Sequence, residues 1–153
     1  MAGRVRGRYL VVDTYAIIAD LTGSAPPAAR RALESVMLGD ATGVVHCLIV
    51  YELAYFWKRT GLIFRDLEEV REFIETYFKV VELSAELALE AAKVKVEGDE
   101  LLRKASEPSL RARRLSAADA TTLALSLKLG AQLVTGDRDL MYVAQRMRVN
   151  VIW

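Results

Sequence analysis

The stretch LSAADATTLALSLKLGAQLVTGDRDL, residues 115–140, decides the fold. Ser116 can cap a helix, small and aliphatic residues carry it, and Gly130 is its natural stop. AQLVT (131–135) then reads as a short buried strand. It ends in Gly136, with Asp137 and Asp139 set close together behind it. Two carboxylates this close repel unless water or a positive charge separates them. A turn that caps the next helix, DLMYVAQRM (139–147), is one explanation for the acids. A metal site is the other.

The same grammar extends in both directions. YLVV (9–12), ATGVVH (41–46), KVVEL (79–83) and VNVIW (149–153) read as further strands. After the loop TGSAPPAA (22–29), Pro27 can open a helix running to about Leu38. CLIVYELAYFWKR (47–59) is long enough for a helix, with Gly61 as its stop. In DLEEVREFIETYF (66–78) the residues Leu67, Val70, Phe73, Ile74 and Tyr77 recur at helical spacing. Ser84 can cap a helix reaching to about Ala105, and SEPSLRARR (106–114) is a polar, basic connection. Strands that are continuous apolar runs and alternate with helices imply an α/β fold. Its sheet is mostly parallel, about five-stranded, and covered by helices on both faces. No repeat or linker divides the chain, so residues 1–153 are expected to form one domain.

Composition narrows the function classes. Hydrophobic residues make up 53% and charged residues 27% of the 153, enough for one solid core. A net charge of +1 argues neither for nor against nucleic acid. The single cysteine, Cys47, cannot form an internal disulfide, which suits a reducing cytoplasm. The apolar runs are too short to span a membrane. The start, MAGRVRGRYL, is basic, but YLVVDTYAII is interrupted by Asp13 and makes a poor signal peptide; a strand is the better reading.

In open parallel sheets, ligands bind at the carboxyl ends of the strands where strand order reverses. Asp13 follows YLVV and Asp137 follows QLVTG, so neighbouring strands would bring both acids to one crevice. Each could equally serve in a turn or a helix cap. Glu52 is the one charged residue between Cys47 and Trp57. On a helix its neighbours are Leu48, Ile49, Tyr55 and Phe56, an apolar surrounding. Burying that carboxylate unpaired costs several kcal/mol. A proton, a metal or a base such as Arg59 must offset the cost, unless the helix turns Glu52 into water. Asp119 fits a capping pattern, SAAD, in which it would reach back to the Ser116 amide. It could also reach a cation at the loop end. Four acids on separate segments need a counter-charge, and Mg²⁺ or Mn²⁺ would supply it through oxygen ligands. His46, the sole histidine, makes no zinc pattern with Cys47 and reads as the end of a strand.

These residues resemble a family. VVDTYAII, VYELAY and LSAADATTLALSLKLGAQLVTGDRDL are similar to the three signature regions of PIN-domain ribonucleases, over nearly the whole chain. The resemblance is greatest to the small virulence-associated protein C toxins of type II toxin–antitoxin pairs. It implies a PIN-like three-layer α/β/α sandwich. It also implies Asp13, Glu52, Asp119 and Asp137 as catalytic and metal-holding acids. Thr135 would orient a carboxylate or water, with Thr14 and Asp139 supporting the same cluster. Tyr15 is a departure: the family often has a small polar residue there, and the ring could narrow the site or stack on a base.

The implied chemistry is hydrolysis of RNA phosphodiesters, single-stranded or structured, with Mg²⁺ or Mn²⁺. Asp13, Asp119 and Asp137 would hold the ion directly or through water. Glu52 would bind the same ion or orient the attacking water. Basic residues should rim the pocket: Arg138 between the two aspartates, and Arg111, Arg113 and Arg114 ahead of the Asp119 helix. Lys58 and Arg59 are better read as a solvated helix end. An antitoxin protein and a second copy of the chain are the implied partners. Phe56, Trp57, Phe73 and Tyr77 either line a groove for a partner helix or belong to the core. The rival readings are a housekeeping RNA-processing nuclease and a PIN-like module that binds RNA or protein without cutting. A phosphatase with an aspartyl nucleophile would want Asp-x-Asp where this chain has Asp-Thr-Tyr.

Overall fold

Five short strands pair side by side, all parallel, in the order β3-β2-β1-β4-β5. They are β1 (Arg8–Val12), β2 (Ala41–His46), β3 (Phe78–Val81), β4 (Gln132–Val134) and β5 (Val151–Ile152). The computed structural model describes residues 7–153; residues 1–6, the basic start of the N-terminal segment, lie outside them. Strand residues alternate between the two faces. Leu10, Val12, Val45 and Val134 enter one core, and Val11, Val44 and Leu133 enter the other. Both faces of the sheet are therefore buried, which is why the strands are apolar without interruption.

Helices α1 (Thr14–Leu21), α2 (Pro27–Met37), α3 (Cys47–Thr60) and α4 (Leu67–Tyr77) cover the first face. Ile17, Leu33, Ile49, Leu53 and Ile74 are their most deeply buried large side chains. Helices α5 (Ala85–Arg103), α6 (Pro108–Arg111), α7 (Ala117–Leu129) and α8 (Arg138–Arg146) cover the second face through Leu87, Leu102, Leu123 and Leu140, joined by Leu115 from the segment before α7. Each such side chain contributes about 1.5–3 kcal/mol by leaving water. Among the described residues no helix is long and apolar enough to cross a membrane.

The local signals act as their chemistry dictates. Gly61 and Gly130 end α3 and α7 in the left-handed region, at φ 64° and 59°, where a Cβ would be strained. Asp66, Ser84 and Ser116 accept from the third amide of the helices they open. Two helices go beyond the sequence reading. TYAIIADL turns directly off β1 as α1, and Pro108 opens the single turn α6 inside the expected connection. Of the four aromatics that could have lined a groove, Trp57 and Phe73 pack against the first core. The Trp57 indole donates to the Phe64 carbonyl at 2.7 Å, and Phe73 meets Phe64, Tyr77 and Phe78 at 5.4–5.9 Å.

Candidate active site

Strand order reverses between β1 and β4, and the chain emerges from both at the same edge. Asp13 directly follows β1; Thr135, Gly136 and Asp137 follow β4. The Asp13 amide donates to the Val134 carbonyl at 3.3 Å, so the two strand ends are tied by their backbones. Asp13 is only 3% exposed. One of its carboxylate oxygens accepts the Ala16 amide at 2.9 Å and thereby caps α1; the other accepts the Thr135 hydroxyl. The capping and site readings of this residue are thus compatible. Asp137 likewise caps α8, accepting from the Leu140 amide at 2.9 Å, while its own amide donates to Thr135 Oγ1 at 3.1 Å.

The remaining two acids come from flanking helices. Glu52 sits half-buried on α3, and the Thr14 hydroxyl donates to it at 2.9 Å. Among the described residues no cation forms an ion pair with Glu52, and Arg59 lies over the Tyr55 ring instead, 5.7 Å from its centroid. Asp119 lies in the first turn of α7, where its amide donates to Ser116 Oγ at 3.0 Å. The expected return bond from the Ser116 amide is not formed among the described residues.

Their electrostatics record this gathering. Burial pushes the Asp13 carboxyl up to about 7, and the charges of Asp119 and Asp137 add to the rise; the Thr135 and Ala16 bonds oppose it. Burial also lifts Asp119 to about 7, reinforced by Asp137, Glu52 and Asp139, against a lowering bond from Ser116. Asp119 is thus coupled to each of the other three predicted acids, and Asp13 to Asp119 and Asp137.

The basic residues divide. Arg113 pairs with the buried Asp139 at 2.8 Å, and Arg138 pairs with Glu107 at 2.6 Å. With Tyr15, Gly136 and Asp137 they bound a pocket of about 330 Å³. Arg114 and Arg111 turn onto backbone carbonyls of their own loop, away from that pocket. A larger concavity, about 1190 Å³, runs along the outer side of α5 and holds none of the predicted acids.

Some of the local construction has no simple sequence signal. His46 is fully buried; its Nδ1 accepts the Leu48 amide at 3.2 Å, capping α3, so Nε2 carries the proton and donates to Thr122 Oγ1 at 2.8 Å. Burial lowers its pKa to about 4. The imidazole stays neutral and braces α3 against α7, the helices that bear Glu52 and Asp119. Its being the only histidine, at a strand end, was the one available cue. Glu107, 31 residues from Arg138, offered none.

A divalent cation is the cofactor such a site could hold. The donors are all carboxylate oxygens, the hard ligands that Mg²⁺ and Mn²⁺ prefer, and two of them are buried at a cost that positive charge would relieve. Among the described residues no group of three or more acids, histidines or cysteines is arranged to hold a metal ion. Mg²⁺ commonly takes only one or two carboxylates and keeps several waters, so a cation here would have few direct ligands.

An open parallel sheet with carboxylates at its switch point defines an α/β protein with a polar-ligand crevice. The PIN domain family model matches residues 10–145, so the chain belongs to the PIN domain family. No curated protein sequence matches it. Among solved structures, it is similar to VapBC2 from Rickettsia felis bound to a promoter DNA fragment, with 12% identity, TM-score 0.65, and coverage of 94% of this chain and 96% of that one. PAE2754 from Pyrobaculum aerophilum shares 22% identity at TM-score 0.58, with coverage of 92% and 87%. VapC20 from Mycobacterium tuberculosis, a sarcin-ricin loop cleaving toxin, shares 20% identity at TM-score 0.58, with coverage of 86% and 92%.

Proposed function

We propose that this chain is a Mg²⁺- or Mn²⁺-dependent endoribonuclease and the toxin of a toxin–antitoxin pair. The carrying observation is that Asp13 and Asp137 follow the neighbouring strands β1 and β4 and are tied through Thr135, with Asp119 electrostatically coupled to Asp13, Asp137 and Glu52. Membership of the PIN domain family supports a nuclease. The fold likeness to VapBC2 and to VapC20, a sarcin-ricin loop cleaving toxin, supports RNA as substrate and an antitoxin as partner. A homodimer in the cytoplasm completes the reading.

When bound, the ion would polarise the scissile phosphate and acidify a water. Asp13, Asp119 and Asp137 would hold it, directly or through water. Thr135 keeps Asp13 and Asp137 in register. Glu52 has one oxygen engaged by Thr14, and its second oxygen can take a proton from the attacking water. Arg113 and Arg138 would meet flanking phosphates by exchanging Asp139 and Glu107 for them.

One observation favours a second reading, a module that binds RNA without cutting: among the described residues no group of three or more acids, histidines or cysteines is arranged to hold a metal ion. Cleavage of single-stranded RNA separates the two. The nuclease should cut with Mn²⁺ or Mg²⁺, stop in chelator, and lose at least about 10²-fold in Asp13→Asn. Equal cutting by the variant and the parent protein rejects the assignment, and RNA binding without cutting selects the module.

A further inference from the structure

Tyr15 is 52% exposed, although the residues that follow it on α1, Ala16 and Ile17, are fully or almost fully buried. It stands two residues beyond Asp13, on the turn that Asp13 caps. Its ring meets the Trp153 indole at an interplanar angle of 70°, with centroids 5.5 Å apart. Both rings rest on Gly136. A Cβ there would fall within 2.6 Å of Tyr15 Cε1 and within 2.4 Å of the indole, so this contact needs a residue without a side chain. The aromatic corner is thus fixed from below by the backbone that joins Thr135 to Asp137. Its open side faces the pocket shared with Asp137, Arg113 and Arg138.

We propose that Tyr15 is a stacking platform that receives one nucleobase of a single-stranded RNA beside the carboxylate cluster. The inference rests on the nuclease reading and adds a base subsite to it. An edge-on neighbour such as Trp153 orients an aromatic ring without covering all of its surface. A ring already fixed in orientation loses little freedom when a base stacks on it. The same pocket offers guanidinium groups for the phosphates on either side of that base. A backbone charge and a flat π surface within one pocket are the two features that unpaired strands use. Stacking discriminates weakly among bases, so the subsite would fix the register of the strand more than its sequence.

The test uses the full chain and a short labelled single-stranded RNA. Binding is measured in chelator and cleavage with Mn²⁺, for the parent protein, Tyr15→Phe and Tyr15→Ala. Each is repeated with RNAs that carry one abasic residue at successive positions. Tyr15→Ala should bind about tenfold more weakly and raise KM with kcat nearly unchanged, while Tyr15→Phe stays near the parent. One abasic position should weaken the parent by a similar factor and leave Tyr15→Ala unaffected. A 2-aminopurine at that position should be quenched by the parent and not by Tyr15→Ala. If Tyr15→Ala does not fold, Tyr15→Leu makes the same comparison, since it keeps apolar bulk against Trp153 without a π face. A parent that binds or cuts RNA no better than Tyr15→Ala, or an abasic penalty that persists in the variant, overturns the subsite. A parent that neither binds nor cuts RNA overturns the nuclease reading and the subsite together.

Discussion

The Thr135 hydroxyl donates to Asp13 while accepting the Asp137 amide, so one side chain couples the acids that follow β1 and β4. Thr135 is fully buried, and water cannot replace either bond cheaply. Thr135→Val keeps the shape and removes both bonds. It should cost about 1–3 kcal/mol of stability. The Thr135 bond also holds the Asp13 pKa down, so its loss should move the acidic limb of the pH–activity profile upward. Thr135→Ser should restore both properties. A valine variant whose limb stays in place would show that Thr135 only supports the fold.

Asp13 and Asp119 carry a stability cost with a definite sign. Their folded pKa values, about 7, lie above the ordinary 3.8. Between those values the folded protein holds more protons than the unfolded chain. Their contribution is therefore fully present below about pH 4 and is lost as pH rises through 7. His46 runs the other way between about 4 and 6.5, because it is buried neutral, and it opposes them in that window. Comparing the parent with Asp13→Asn cancels the histidine. In chelator at pH 8 the asparagine variant should be the more stable, by on the order of 1 kcal/mol or more, and the gap should close by pH 5. Mn²⁺ should raise the parent's Tm at pH 8 and have little effect at pH 5. Thermal melts at the two pH values decide this, and a less stable variant at pH 8 would mean that Asp13 is held by its bonds more firmly than burial repels it.

Much of this arrangement was legible in the sequence because strand ends and helix starts are local. YLVV followed by Asp13, and QLVTG followed by Asp137, needed only the rule that ligands meet the carboxyl edge. The order of the strands was not local, nor was α1. TYAIIADL is eight residues long, nearly all apolar, and runs on from an apolar strand, so no period distinguishes the two. Asp13, which marks the boundary, was visible as an acid and as a possible cap, but not as the cap of this particular helix. The pairs Arg113–Asp139 and Arg138–Glu107 join residues 26 and 31 positions apart, and Tyr15 meets the last residue of the chain. Such contacts are set by packing of the whole sheet, which leaves no trace in spacing.

Arg138 and Glu107 form an exposed pair, with side chains 65% and 58% accessible. Such pairs contribute about 0–1 kcal/mol at most. Their importance is competitive, since Glu107 occupies the guanidinium that a phosphate would use. Glu107→Gln should leave the Tm within about 1 °C, strengthen RNA binding severalfold at low salt, and steepen the salt dependence by about one released counterion. Anisotropy titrations at several salt concentrations measure both quantities. Unchanged affinity and slope would remove Arg138 from the RNA path.

Gly98 on α5 controls how closely that helix approaches the start of α7. A Cβ at this position would lie 2.4 Å from Leu115 Cδ1 and 3.1 Å from Val143 Cγ1. Around it, Asp99 accepts the Leu115 amide at 2.8 Å, and Lys95 donates to the Leu115 carbonyl at 2.7 Å while pairing with Asp99 at 2.9 Å. These bonds fix the residue just before Ser116, and so fix the first turn that carries Asp119. Alanine at 98 would gain about 1 kcal/mol of helix propensity, yet must displace the Leu115 side chain, so its net effect should be small. Valine adds two further methyl groups in the same place and should cost about 1–3 kcal/mol. Because the strain falls on the segment leading into α7, Gly98→Val should also lower kcat under conditions where the variant is fully folded, with Gly98→Ala close to the parent. Denaturant titrations give the first quantity and cleavage assays well below Tm give the second. A valine variant that loses stability and retains full kcat would show that the α7 start is held by Ser116 and Asp99 independently of the α5 packing.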